Sequence, residues 1–311
     1  MNTLSDHVRG VLLATTGILI LSPDALILRL VEADLWTLVF WRGLLTALAL
    51  AIFFVVSYPR KVLTYIRAVG GAGLLASVFF SITSILFVTA ITLTTVSNTL
   101  VIISAASLFA AILSLVFLRE RIPRRTWIAA ITAFAGITVI FSGSLGGGAL
   151  LGDICALGTA LFIGAHLTVI RYARAINMVP TLALSGIITA VIVLPLAAPL
   201  SIGTHDFVLL SLLGLVILPI ATGMIILAPR FLPAAEVSLI MLLETVFGPL
   251  WVWLVLNERP SVETFLGGAV VLGTLAIHAV LGLRQTTVIN GCSPAIQISG
   301  GRDAKTSDAR H

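Results

Sequence analysis

The chain has 311 residues, of which 59% are hydrophobic and only 10% are charged, and its mean hydropathy is +1.16. A soluble domain carries roughly 25% charged residues, so this composition excludes an ordinary soluble protein. The net charge of +5 comes from basic residues scattered over separate segments, which argues against a nucleic-acid-binding surface. The sequence therefore predicts a protein embedded in a lipid bilayer.

Apolar runs follow one another along almost the whole chain. A helix needs about 20 apolar residues to cross the roughly 30 Å hydrocarbon layer. Ten runs approach this length, and the predicted spans are 8–28, 35–56, 68–90, 94–118, 126–142, 149–170, 180–200, 207–228, 233–256 and 261–283. No small-x-small cleavage site follows the first run, which we interpret as an uncleaved helix. Residues 285–311 are rich in Ser, Gly, Thr and charge, which predicts a disordered tail.

Basic residues are distributed unevenly over the predicted loops. If the chain starts in the cytoplasm, fifteen of its 18 Lys and Arg residues lie on the cytoplasmic side. Arg29 and Arg259 lie on the opposite side, and Arg42 lies within a span. Short cytoplasmic loops carry an excess of Lys and Arg, so this distribution predicts that both termini are cytoplasmic.

Two of the apolar runs end in similar sequences, "FLRERIP" at 117–123 and "VLNERPS" at 255–261. Aligning Glu120 with Glu258 places the fourth and fifth spans over the ninth and tenth, and a weaker alignment pairs Asp24 with His166. Two five-span units must cross the membrane in opposite senses, because five is odd. The predicted fold is therefore an all-α membrane protein with ten transmembrane helices in two inverted five-helix repeats. The predicted repeats are 1–145 and 146–284, followed by the cytoplasmic tail 285–311.

Two segments carry a resemblance to a known family. "PAAEVSLIMLLETVFGPLWVWLVLNERP" and "FWRGLLTALAL" are similar to the ninth-helix and second-helix patterns of the EamA type of the drug/metabolite transporter superfamily, and the resemblance covers residues 8–283. Where many members have Glu-Pro, this chain has Glu244-Thr245, with a proline later at Pro249. Within the family the chain resembles bacterial exporters of amino acids, including aromatic ones. The resemblance implies a transporter of the bacterial inner membrane rather than an enzyme, with a small-molecule substrate.

Ionisable residues inside the hydrocarbon are costly and usually line a cavity or a pathway. Glu244 lies near the middle of the ninth span and shares a helical face with Met241, Gly248 and Trp251, so it is the strongest candidate. The alternative is a structural Glu bonded to a hydroxyl or to Arg42. Arg42 could hold a substrate carboxylate, or it could be a structural arginine that snorkels or pairs with a Glu.

Asp24 and His166 are partners in the weaker repeat alignment. One lies near the outer end of the first span and the other near the inner end of the sixth. These positions could form gates or mouths on opposite sides of the membrane. The alternative is an interfacial polar residue that has access to water.

Aromatic and amide side chains supply the remaining candidates. Phe79, Phe80 and Trp41 could form an aromatic wall for an apolar side chain, although such residues more often pack between helices or face lipid. Asn98 opens the fourth span as Glu236 opens the ninth, and both could instead cap their helices.

Several motifs are missing from the sequence. The stretch "GSLGGGALLGD" at 143–153 lacks the Gly-Lys-Ser/Thr of a phosphate-binding loop, and the chain has neither a Cys/His metal cluster nor a Gly-x-Ser-x-Gly elbow. We therefore predict no cofactor, no metal and no direct use of ATP. A nucleotide-sugar or multidrug carrier of the same superfamily is an alternative, and an intramembrane enzyme for a lipid-linked substrate is a remote one. The coupling ion and the oligomeric state stay open.

Overall fold

A computed structural model of the protein describes residues 6–57, 70–119, 124–144, 148–173, 179–228, 231 and 234–291. Every regular element in these ranges is a helix. Six stretches of 21–24 helical residues have the length and composition of a membrane span, and four shorter apolar helices accompany them. Together they match the ten predicted spans, so the prediction of an all-α membrane protein is confirmed.

The ten spans differ in how continuous they are. Their helices are Asp6–Leu21 with Asp24–Leu30 (first), Leu35–Ser57 (second), Gly70–Leu93 (third), Val96–Ser104 with Ala106–Leu118 (fourth), Arg124–Ser144 (fifth), Leu150–Tyr172 (sixth), Val179–Val193 (seventh), Thr204–Ser211, the π-helical Leu212–Ile217 and Leu218–Leu227 (eighth), Ala234–Leu256 (ninth) and Val262–Gly291 (tenth). A short 3-10 helix, Pro199–Ser201, precedes the eighth span.

Two predicted boundaries are wrong. The seventh helix ends at Val193 instead of at residue 200, because Pro195 lacks an N–H and disfavours helical backbone in the residue before it. The tenth helix continues to Gly291, so residues 285–291 are helical instead of belonging to a disordered tail. The rest of the predicted tail lies outside the described residues.

The first span is broken at Ser22 and Pro23. Pro23 has no N–H to donate to the carbonyl of Leu19, and the hydroxyl of Ser22 donates to that carbonyl instead, at 2.9 Å. The second half of the span then begins at Asp24. Asp24, the first residue of that half, is buried between the helices.

The main contacts between two spans recur between the equivalent spans of the other repeat. The contact of the first span with the eighth corresponds to that of the third with the sixth, and the contact of the first with the ninth corresponds to that of the fourth with the sixth. The second span packs against the seventh, the fourth against the ninth and the fifth against the tenth, so each of these helices meets its own counterpart. Two inverted five-helix repeats related by a two-fold axis require this pattern.

The fourth and ninth spans end in the same unusual backbone conformation. Arg119 has a φ of 54° and Asn257 a φ of 56°, in the left-handed region that residues other than glycine seldom adopt. The two residues are equivalent when Glu120 is aligned with Glu258. The repeated sequence ending therefore corresponds to a repeated helix terminus.

Two pairs of counterpart helices approach each other at glycines. A Cβ atom added to Gly186 would lie 2.5 Å from the carbonyl oxygen of Gly43, and one added to Gly267 would lie 2.5 Å from that of Gly136. Small residues allow membrane helices to pack backbone against backbone. The second span is thereby held against the seventh, and the fifth against the tenth.

Candidate functional site

The break in the first span positions one half of a buried ion pair. Arg42 Nη2 lies 2.8 Å from Asp24 Oδ2, and the two side chains are only 10% and 6% exposed. Arg42 is thus paired, but its partner is Asp24 and not a Glu. Asp24 is buried, so the alternative of an interfacial residue in contact with water is wrong for this structure.

Arg42 is held from several sides. Its Nη1 donates a hydrogen bond to Ser84 Oγ at 2.9 Å, and the guanidinium carbon lies 5.5 Å from the centre of the Phe87 ring. Two polar atoms of the ion pair nevertheless have no partner among the described residues, since Asp24 Oδ1 and Arg42 Nε are buried without a hydrogen bond. The pair therefore keeps one free acceptor and one free donor.

A narrow cavity adjoins Arg42 between the two repeats. Its volume is about 50 Å³, and about 420 Å³ when all the empty space out to the open mouth is counted. The lining residues are Arg42, Gly43 and Thr46 of the second span, Phe80 and Ser84 of the third, Leu182, Ser185, Gly186 and Thr189 of the seventh, and Leu218 and Thr222 of the eighth. The walls combine one cation, several hydroxyls, an aromatic ring and apolar side chains, as expected for a small-molecule site.

Glu244 of the ninth span belongs to the same charged group. Its carboxylate lies within electrostatic range of both Asp24 and Arg42, and it has no hydrogen bond to another described residue. The indole N–H of Trp251, on the same helical face, donates to Ser22 Oγ at 2.9 Å and so ties the ninth span to the break. Met241, one turn from Glu244, is 37% exposed. Three ionisable residues predicted from separate spans therefore gather at one place.

His166 of the sixth span packs against Phe80, which belongs to the cavity wall. Its Nδ1 is 2.9 Å from the carbonyl oxygen of Ala76. A carbonyl only accepts hydrogen bonds, so Nδ1 carries the proton. The imidazole is 5.0 Å from the ring of Phe80, which lines the cavity. His166 therefore supports Phe80 from the sixth span.

The structure separates the three predicted aromatic residues. Phe80 lines the cavity, whereas the ring of Phe79 lies 5.8 Å from that of Phe162 in the contact between the third and sixth spans. Trp41 packs edge-on against Phe207 at 5.0 Å. The predicted aromatic wall is thus reduced to one ring, and the other two residues pack between helices.

Asn98 belongs to a polar cluster away from the cavity. Thr95 caps the fourth span, since its hydroxyl accepts from the backbone N–H of Asn98 at 3.2 Å. The Asn98 amide donates to Asp153 at 3.3 Å, and its oxygen accepts from Thr264. Thr94 also donates to Asp153, at 2.6 Å. This cluster joins the third, fourth, sixth and tenth spans at one end of the bundle.

A second ion pair lies at that same end. Arg29 Nη2 is 3.4 Å from Glu258 Oε2 and donates to the carbonyl oxygen of Thr94 at 2.6 Å. Glu258 also accepts from the backbone N–H of Val96 at 3.0 Å. We call the Asn98 cluster and this ion pair together the end seal. The cavity extends the other way, toward Thr222 in the last helix of the eighth span.

Sequence reasoning missed the hydroxyl groups of the site and Asp153. The missed cavity residues are Thr46, Ser84, Ser185, Thr189 and Thr222. Hydroxyl residues spaced four apart lie on one face of a helix, and this pattern in the sequence indicates that they contact the same neighbouring helix. Ser77 and Ser81 donate to the backbone carbonyls of Thr181 and Ser185 at 3.0 and 2.8 Å, and so bind the third span to the seventh.

Comparison with known proteins supports the repeat architecture. The chain matches the EamA-like transporter family over residues 8–142 and 150–279, one range for each five-helix repeat. No curated protein matches the chain in sequence. A crystal structure described only as that of a protein is similar to it, with a TM-score of 0.63 and 14% sequence identity, over 90% of this chain and 99% of that one. At this identity the comparison shows a shared fold.

Proposed function

Since the chain belongs to the EamA-like transporter family, we propose that it exports amino acids, aromatic or large neutral ones, by alternating access around the cavity at Arg42. Transporters built from inverted repeats bind their substrates near the bilayer midplane, between the repeats and beside discontinuous helices. The cavity lies between the repeats, since its walls come from the second and third spans of one repeat and the seventh and eighth of the other.

The lining of the cavity supports an amino acid as the substrate. Phe80 offers an aromatic surface to an apolar side chain, and the hydroxyls of Ser84, Ser185 and Thr189 offer hydrogen bonds to a polar head group. Arg42 is the cation that lines the cavity, whereas a nucleotide sugar would need several to hold its diphosphate. Glu244 is proposed to contact the substrate or to couple its transport to protons.

The distribution of basic residues supports an orientation. We propose that the protein lies in a bacterial inner membrane with both termini in the cytoplasm, because fifteen of its 18 Lys and Arg residues then lie on the cytoplasmic side. The end seal at Arg29 and Glu258 would face outward. The described state would then be closed to the outside, with its cavity extending toward the cytoplasm.

Flux through purified protein in liposomes tests the proposed activity. Labelled phenylalanine and leucine should exchange saturably in a counterflow assay, and repeating the assay with a pH gradient measures proton coupling. If folded protein moves neither amino acid but does move a nucleotide sugar or a cationic dye, the amino-acid assignment is wrong and the corresponding alternative replaces it.

The variant Glu244→Gln tests the role of the ninth span. The substitution keeps the size of the side chain and removes its charge, so we expect flux to fall while thermal unfolding stays close to that of the unmodified protein. Glu32→Gln is the matched control, because Glu32 is exposed outside the spans. Unchanged flux in Glu244→Gln would remove Glu244 from the mechanism.

A further inference from the structure

We infer that Asp24 and Arg42 together bind the zwitterionic head group of the substrate, with the amino group at Asp24 Oδ1, the carboxylate at Arg42 Nε, and Glu244 adding the negative charge that favours a cation. This inference rests on the proposed transport function and assigns the residues that hold the two charges of the substrate. It makes a positively charged amino group a requirement for binding.

The first argument is that the ion pair contains two hydrogen-bonding atoms without a partner among the described residues. Asp24 Oδ1 is a buried acceptor and Arg42 Nε a buried donor, and neither has a partner among the described residues. Buried polar groups are nearly always hydrogen-bonded, and an unmade bond is costly. An ammonium group supplies three donors and a carboxylate supplies acceptors. A zwitterionic head group therefore offers what each of the two atoms lacks.

The second argument is the net formal charge of Asp24, Arg42 and Glu244. Asp24 is balanced by Arg42 across a 2.8 Å ion pair, whereas Glu244 has no ion pair with another described residue. With all three groups ionised, two carboxylates face one guanidinium and the site holds an excess negative charge. Charge without a counter-ion is unfavourable in a low-dielectric interior. The amino group of a substrate would supply the missing cation, while a purely anionic ligand would add to the imbalance.

The geometry of the cavity carries the third step. Arg42 lines the cavity directly, and Ser84, which accepts its other hydrogen bond, lines it as well. Asp24, at the break in the first span, does not line the cavity but lies 2.8 Å from Arg42 Nη2. Discontinuous helices of this kind hold the charged groups of substrates in other inverted-repeat transporters. A head group that enters beside Arg42 thus meets the guanidinium first, and it must displace part of the ion pair to reach Asp24.

Three probes of similar size separate the charges of the substrate. L-phenylalanine carries both charges, phenethylamine keeps the amino group alone, and 3-phenylpropionate keeps the carboxylate alone. Each would compete with labelled L-phenylalanine in proteoliposomes. We expect phenylalanine to compete best, phenethylamine about tenfold less well, since one charged hydrogen bond is lost, and 3-phenylpropionate least. Competition by 3-phenylpropionate equal to that by phenylalanine would overturn the inference.

Variants assign the amino group to its residues. Glu244→Gln and Asp24→Asn should each weaken competition by phenylalanine and phenethylamine about tenfold, the factor for one hydrogen bond to a charged group, and leave 3-phenylpropionate unaffected or stronger. Asp24→Glu keeps the charge and should restore part of the loss, and Glu32→Gln should change nothing. If Glu244→Gln, confirmed as folded by its thermal unfolding, binds all three probes as the unmodified protein does, and a folded Asp24→Asn does the same, the inference is wrong.

A binding measurement separates this inference from the proposed transport. If folded protein shows no flux of any amino acid, the same three probes are added to it in detergent and the shift in its unfolding temperature is measured. A shift by phenylalanine and not by 3-phenylpropionate would support the head-group site although the transport proposal had failed. No shift by any probe would overturn both.

Discussion

Arg42 of the second span pairs with Asp24 at the break in the first span, with 2.8 Å between Nη2 and Oδ2. Asp24→Asn removes the negative charge and leaves the buried guanidinium without its ion-pair partner. Breaking a buried pair in this way costs about 3–5 kcal/mol, so we expect a large fall in the midpoint of thermal unfolding in detergent. The double variant Asp24→Asn with Arg42→Gln should unfold at a higher temperature than the single variant. Equal stability of Asp24→Asn and the unmodified protein would contradict the buried pair.

The end seal predicts how access to the bundle changes with one charge. Glu258→Gln weakens the bond to Arg29, whose side chain is 25% exposed. Because the pair is partly solvated, we expect only a modest effect, at most about fivefold in the opening equilibrium. The reporter is a cysteine in place of the buried Ser97, with Cys155 and Cys292 replaced by serine, and the measurement is its rate of reaction with a membrane-impermeant thiol reagent.

Labelling of the Ser97→Cys reporter should be faster in Glu258→Gln. Arg259→Gln is the control, since Arg259 is the exposed neighbour of Glu258 and its charge lies outside the seal. Equal acceleration in both variants would mean that a general loss of charge, and not the loss of the seal, opens this end.

The glycine contact between the second and seventh spans predicts opposite effects of two similar substitutions. Gly186→Ala would place a methyl group 2.5 Å from the carbonyl oxygen of Gly43, so the backbones must separate. Overpacking of this kind costs about 1–3 kcal/mol. Gly223→Ala meets nothing within 4 Å and should leave stability unchanged or raise it by up to about 1 kcal/mol through helix propensity. Thermal unfolding of the two variants, measured side by side, tests the helix contact.

Asp34 predicts a pH dependence outside the spans. Its Oδ2 accepts from the backbone N–H groups of Trp36 and Thr37, at 3.1 and 3.0 Å, and so caps the second span. Partial burial raises the pKa of Asp34, but the bonds from Thr37 and Trp36 together outweigh it and lower the pKa below its ordinary value. A carboxyl group with a lowered folded pKa stabilises the protein above its unfolded pKa, and this contribution is lost as the pH falls through the folded value.

We therefore expect the unmodified protein to lose stability relative to Asp34→Asn as the pH falls below about 4. Asn also caps helices and does not titrate, so it is the matched comparison. The measurement is the difference in unfolding midpoint between the two proteins from pH 6 to pH 3. A difference that stays constant over this range would show that the cap does not depend on the charge of Asp34.

The sequence predicts the number and the symmetry of the spans because both follow from local patterns. The length of the apolar runs determines where helices cross the bilayer. The alignment of Glu120 with Glu258 also pairs Arg119 with Asn257, which share a positive φ angle. Helix ends were predicted less well. Pro195 ends the seventh helix early, and Pro23 divides the predicted first span into two helices.

The sequence predicts the charged residues of the candidate site but not which of them form an ion pair. Asp24, Arg42 and Glu244 stand out singly, because a charge inside an apolar run is conspicuous. That Asp24 pairs with Arg42 depends on how the first span packs against the second, which periodicity within one helix does not encode. The cavity hydroxyls were missed for a related reason, since Ser and Thr are common in membrane helices and their direction depends on the neighbouring helix.

The hydroxyl bonds between the third and seventh spans bear on how the molecule can move. Ser77 and Ser81 hold a helix of the first repeat to a helix of the second, and Gly43 and Gly186 hold the second span to the seventh in the same way. A motion that parted residues 8–142 from residues 150–279 would break all these contacts at once. Rigid bodies that keep these contacts must each combine helices from both repeats, so their hinge differs from the junction of the repeats in the sequence.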